Sequence, residues 1–105
     1  MNTVAGFDET IHAPLRLRVC VMLAAVKELE FSKLRDELDV ADSVLSKHLK
    51  VLADAGYVGL RKPVGLGGRP KTWASLTKGG RAALSGHLVA LQALAQQAAL
   101  DRAQP

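Results

Sequence analysis

The segment Asp42 to Gly56, DSVLSKHLKVLADAG, constrains the chain more than any other stretch. Placed at 100° per residue, Leu45, Leu49 and Leu52 fall within about 60° of one another, while Ser43, Ser46, Lys47, Lys50 and Asp54 occupy an opposing arc of about 100°. Such a pattern predicts a helix with one buried and one wet face. Asp42 is placed to cap its start, and Gly56 to stop its end. Asp39-Val40-Ala41 reads as a tight turn in which Asp39 takes the left-handed conformation, and Ser32 caps a short preceding helix whose inward residues are Leu34 and Leu38.

Around this pair the order of elements follows from period and punctuation. Pro14 suits a first helical turn, and Leu15, Val19, Met22 and Val26 follow at helical spacing. Leu17, Val21 and Ala24 make that first helix apolar on its far side too, so it needs a second cover. Glu30-Phe31 fits a short strand. Residues 57–62 and 72–77 alternate as strands, with Val58, Leu60, Ala74 and Leu76 inward. Thr77 caps a last helix in which Leu84, Leu88, Leu91, Ala95 and Ala98 are spaced four, three, four, three, a heptad seam. About ten residues at the start, and Asp101 to Pro105, read as frayed ends.

Charge sharpens the reading. The net charge is +4, but residues 44–81 carry eight Lys or Arg against the single acid Asp54, so the rest of the chain is net acidic. Four of those cations (Arg61, Lys62, Arg69 and Lys71) lie in RKPVGLGGRPKTW, which runs from the end of the strand at 57–62 into the strand at 72–77. Glycines allow a hairpin tip to approach a phosphate or groove wall, prolines stiffen it, and arginine suits an electronegative minor groove. Two helices joined by a tight turn and followed by a basic hairpin can set one helix in a DNA major groove with a loop beside it. Ser43, Ser46 and Lys47 are then candidates for base edges, and Lys50 for phosphate. His48 stands at the rim of the apolar arc, between a half-buried hydrogen-bonded imidazole and a DNA contact. Trp73, alternating opposite Ala74 and Leu76, is expected to pack against another helix.

Other chemistries lack their residues. No serine has a His and Asp in a strand-turn-helix setting, and Gly65 to Pro70 is flanked by strands on both sides, unlike a phosphate loop. His12, Cys20, His48 and His87 are scattered without a pair at ligand spacing, so neither enzyme activity, metal nor cofactor is expected. Cys20, the lone cysteine, cannot form an internal disulfide and reads as a small core or interface residue. The uncharged run Ala82–Leu100 is broken by Gly86, His87 and three glutamines and is rich in alanine, which argues against a membrane span. The first residues hold Asp8 and Glu9 where a signal peptide has an apolar run, so a cytoplasmic location is expected.

The succession from Leu15 through DSVLSKHLKVLADAGYV, the wing GRPKTW and LTKGGR resembles winged-helix transcriptional regulators of the MarR and ArsR kind, over roughly Ile11 to Leu100. The resemblance implies a mainly α fold with a small antiparallel β-hairpin wing (α+β, winged helix-turn-helix). It implies one domain over 1–105, with a core at 11–76 and a dimerisation helix at 77–100. It further implies a cytoplasmic homodimer that binds double-stranded DNA, usually as a repressor. DNA contacts are expected at Ser43, Ser46, Lys47, His48, Lys50, Arg61, Lys62, Arg69 and Lys71. Leu17, Val21, Leu84, Leu88, Leu91, Ala95 and Ala98 are expected in the dimer interface. The paired cysteines of metal sensors in this group are absent beside the reading helix, and a small-molecule effector stays open. A winged-helix protein-interaction module is the alternative, against which the basic wing speaks.

Overall fold

In a computed structural model that describes residues 5–63 and 70–103, the chain forms five helices and three strands among the described residues. In order these are α1 (Glu9–His12), α2 (Pro14–Ala24), β1 (Leu29–Glu30), α3 (Phe31–Leu38), α4 (Asp42–Asp54), β2 (Val58–Arg61), β3 (Trp73–Leu76) and α5 (Lys78–Ala103). The fold is mainly helical with a three-stranded antiparallel sheet in the order β1-β3-β2. Leu29 faces Ala74 across β1 and β3, and Val58 faces Leu76 across β2 and β3.

One core joins these elements. Ile11, Val19, Leu23, Leu34, Leu45 and Leu52 are fully buried, joined by Leu38, Leu49, Val58, Ala74, Leu76 and Leu84. Burying each large aliphatic side chain contributes about 1.5–3 kcal/mol, so the three leucines of α4 fix which way that helix faces. Cys20 lies in this core, where burial first and the Asp8 carboxylate second push its thiol up to about 11. It is an inert packing residue, as expected.

Helix ends are held differently from the expectation at two places. Phe31 already belongs to α3, because its N–H donates to the Thr72 carbonyl oxygen at 2.8 Å and needs no side-chain cap; Ser32 therefore caps nothing. The strand before it is correspondingly Leu29–Glu30 rather than Glu30-Phe31. Ala41 is the N-cap of α4 and Asp42 its first residue. The Asp42 carboxylate turns outward to Arg35 instead, at 3.1 Å, tying α3 to α4 across the turn. Asp39 in that turn is left-handed, with φ 53 and ψ 54, and Gly56 ends α4 at φ 80. At that end the Tyr57 and Gly56 N–H groups close on the Leu52 and Ala53 carbonyls, at 2.9 Å each, the pairing that satisfies a helix C-terminus.

The start of the chain also corrects the expectation. Residues 7–12 are ordered structure: Asp8 caps α1 by accepting from the Ile11 N–H at 3.0 Å, and Ile11 is fully buried. A four-residue helix with one buried side chain has no period by which sequence could reveal it.

α5 begins as predicted. Thr77 Oγ1 accepts from the Gly80 N–H at 2.9 Å and donates to the Gly56 carbonyl at 2.7 Å, so one hydroxyl joins the start of α5 to the end of α4. A Cβ at Gly80 would overlap the Tyr57 carbonyl oxygen, which makes glycine obligatory there. Leu84, His87 and Ala90 are buried, but every residue from Gln92 to Arg102 is exposed.

Candidate nucleic-acid interface

α4 turns Ser43, Ser46, Lys47 and Lys50 to solvent, as the helical wheel predicts. Lys50 is paired with Asp54 one turn later, at 3.2 Å, an exposed pair that constrains its head only weakly. Lys47 has no ion pair among the described residues.

Beside this face lies a groove of about 400 Å³, bordered by Ser46 and Lys50 of α4 and by Leu60, Lys62 and Thr72 of the hairpin. It accounts for the misplaced strand residue. Leu60 alternates correctly with its neighbours but is 45% exposed, because its side of β2 opens on this groove instead of lying under a helix. Lysines thus stand on both walls of the groove.

Of the hairpin cations, Lys62 and Lys71 are exposed, whereas Arg69 lies outside the described residues. Arg61 is held by Glu28: Nη2 donates to Oε1 at 2.6 Å and Nε to Oε2 at 3.2 Å. That fork lowers the Glu28 pKa chiefly through the hydrogen bond from Arg61. The guanidinium also lies 5.9 Å from the Trp73 ring centroid, its cross-strand partner. Trp73 is half-buried and meets Arg61 across the strands. Arg81 is likewise engaged, donating to the Ala24 and Val26 carbonyls at 3.1 and 3.2 Å at the end of α2. Of the eight cations counted in residues 44–81, Lys47, Lys62, Lys71 and Lys78 have neither an ion pair nor a side-chain hydrogen bond among the described residues. Sequence showed the charge, not which members of it were engaged.

His48 is half-buried, and its Nδ1 lies 3.2 Å from Arg16 Nη1. Arginine can only donate, so Nδ1 accepts and the ring is neutral with its proton on Nε2. Burial first, then Arg16 and Lys47, hold its pKa below the ordinary value of 6.5. Its structural role is the one read from the apolar arc. The interface residues expected elsewhere divide similarly: Leu84 is 5% exposed within the chain's own core and Leu17 packs against that core, whereas Val21 and Leu88 are 48% and 39% exposed. Leu91 is half-buried, and Ala95 and Ala98 are exposed.

Two helices meeting at a tight turn, with the second presenting a polar face beside a three-stranded sheet whose hairpin projects alongside, define a winged helix-turn-helix. Residues 15–95 match the winged helix DNA-binding domain family, and the chain belongs to it. An uncharacterized protein of Methanocaldococcus jannaschii is 32% identical over 74 residues, covering 70% of this chain and 79% of that one. Among solved structures, the transcriptional regulator homologue from Pyrococcus horikoshii OT3 superposes with a TM-score of 0.79 at 26% identity, covering 86% of this chain and 88% of the other. A MarR-family regulator from Enterococcus faecalis V583 shares the fold, with a TM-score of 0.70 at 24% identity over 90% of this chain and 83% of its own. The chain is thus of the transcriptional-regulator type, a DNA-binding class and not an enzyme class. No helix among the described residues is long and apolar enough to cross a membrane.

Proposed function

We infer that the protein is a sequence-specific regulator of transcription that binds double-stranded DNA as a cytoplasmic homodimer, acting as a repressor, and that residues 1–105 are one DNA-binding unit. The observation that carries this reading is the outer face of α4, where Ser43, Ser46 and Lys47 stand exposed beside a lysine-walled groove. Residues near the start of a recognition helix lie deepest in the major groove. Ser43, Ser46 and Lys47 contact base edges; Lys50, Lys62 and Lys71 contact phosphates, and Arg69, which lies outside the described residues, is assigned to phosphate from the sequence alone. Arg61 positions the wing through Glu28 and Trp73, and His48 supports α4 from behind. A protein-interaction module would have no use for the open lysines.

Dimerisation is supported by α5, whose Leu88, Val89, Leu94 and Leu100 are 39–61% exposed along a helix that leaves the core after Leu91. Val21 on α2 is likewise 48% exposed, while Leu84 serves the fold. For a small-molecule effector, a cleft of about 230 Å³ between α2 and α5, bordered by Ala24, Arg81 and Leu88, offers space among the described residues.

The reading is tested by selecting duplexes from a random library and competing the enriched sequence against a scrambled one. A shared motif with two related half-sites, bound at least about 10³-fold more tightly than scrambled DNA, is expected. Equal affinity for both duplexes contradicts it. Added zinc or arsenite should leave that affinity unchanged.

A further inference from the structure

The histidines that appear scattered in sequence are not all apart in space. His87 of α5 is fully buried, and its Nε2 lies 3.2 Å from His12 Nδ1, while its Nδ1 lies 2.9 Å from the Asp8 backbone nitrogen. The Asp8 N–H can only donate, so His87 Nδ1 accepts and carries no proton. The His87 proton is therefore on Nε2, where it donates to His12 Nδ1, and the His12 proton is on its outward Nε2. Two neutral imidazoles satisfy both contacts. One added proton cannot be accommodated: on either ring it leaves one of the two contacts with a donor facing a donor.

The segment held by these contacts reaches the reading helix at two points. The Asp8 carboxylate accepts from the Tyr57 hydroxyl, just beyond the end of α4. The Thr10 carbonyl of α1 accepts from Arg16 Nε at 2.6 Å, which aims the other end of that guanidinium at His48 in the middle of α4. The arm also crosses α5 closely, since a Cβ on Gly6 would stand 2.8 Å from the Gly86 carbonyl oxygen, and Phe7 seals the imidazoles at 4.7–4.8 Å between ring centroids.

Resting on the DNA-binding reading above, we propose that residues 6–12 form an acid-released latch: protonation of the His12–His87 pair frees this arm from α5 and, through Arg16 and Tyr57, loosens α4 and weakens DNA binding. The surroundings agree in sign. Burial first, and His12 second, hold His87 below its ordinary 6.5, against a smaller opposing pull from Asp8. A depressed folded value stabilises the latched state fully above pH 6.5 and ceases to do so as pH falls toward the folded value. The other groups around it do not replace that response. Asp8 is engaged by the Ile11 N–H and Tyr57, and β3 carries no titratable side chain. Cys20 on α2 and Tyr57 just beyond α4 are both pushed up and stay protonated, Tyr57 chiefly by its bond to Asp8.

The test pairs a DNA-free readout with a binding readout. In the wild-type protein, followed by NMR between pH 7.5 and 5, the Asp8 amide protection should vanish with the same midpoint as the His87 ring nitrogens titrate. Affinity for the selected duplex should fall by up to about tenfold per pH unit over that range. H87Q, whose amide can accept from Asp8 and donate to His12 without titrating, should bind within about threefold of wild type at pH 7.5 and lose the acid response, although His48 is retained. Persistence of the Asp8 protection at pH 5 overturns the latch. An acid response of equal size in a folded H87Q overturns its link to DNA. If H87Q does not fold, the wild-type NMR titration alone decides the latch. If the wild type prefers no duplex at pH 7.5, the DNA-binding reading fails, and the same titration still decides the latch.

Discussion

α4 and α5 both carry leucines at helical spacing, yet they end in opposite conditions. Leu45, Leu49 and Leu52 of α4 are all at most 2% exposed, so that leucine seam is complete within the chain, and the outward face is mainly polar, interrupted by Val44 and Val51 at 40% exposure. α5 buries Leu84 and half-buries Leu91, then exposes Leu94 and Leu100 at 42% and 61%. An apolar periodicity alone therefore does not say what it packs against. It is finished where the chain supplies a partner surface and left open along the far half of α5, where the proposed reading places a second molecule.

That contrast can be broken from either side. The largest effect is expected at Leu52→Ala, which empties a fully buried site and should destabilise the fold by about 2–5 kcal/mol in urea denaturation. Leu94→Ala, at an exposed site, should change the unfolding of the single chain by no more than about 0.5 kcal/mol. Leu94→Glu should instead act on assembly: two such carboxylates per dimer replace apolar contacts, each worth about 1.5–3 kcal/mol when buried, and sedimentation at micromolar concentration should find single chains. A wild-type protein that sediments only as a monomer would make the exposed half of α5 something other than a dimer surface.

Much of the α4 side was legible because its pattern is local. The Leu45/Leu49/Leu52 arc, the Asp39 turn, the Gly56 stop, the Thr77 cap and both hairpin strands each depend on residues a few positions apart. What stayed hidden depends on long-range closure. The His12–His87 contact joins residues 75 apart, and the Arg61–Glu28 fork spans 33, needing the sheet to be assembled first. Leu60 alternates as an inward residue does, and only the groove beside α4 explains why its face is open. Asp42 has the side chain of a cap, but Arg35, brought near by the turn itself, takes it.

Smaller effects sharpen the α4 side. Ser46→Ala and Lys47→Ala should each narrow the preference for the selected duplex over scrambled DNA by about 1–3 kcal/mol, read by competition. Asp39→Gly, which relieves a left-handed conformation at φ 53 while adding freedom to the unfolded chain, should raise stability by less than about 1 kcal/mol. Its urea midpoint should rise slightly with the slope unchanged.

The proposed function divides labour between α4, expected to read sequence, and the wing, expected to supply charge. It is tested most directly by titrating wild type, Lys47→Ala and Lys71→Ala against selected and scrambled duplexes at several salt concentrations. Lys47→Ala should lose preference between the two duplexes. Lys71→Ala should weaken both by similar factors and flatten log K against log salt by about 0.9 for the lost phosphate contact. If Lys47→Ala keeps the full preference and Lys71→Ala keeps both affinity and slope, α4 and the wing are ordinary solvated surface and the account is wrong.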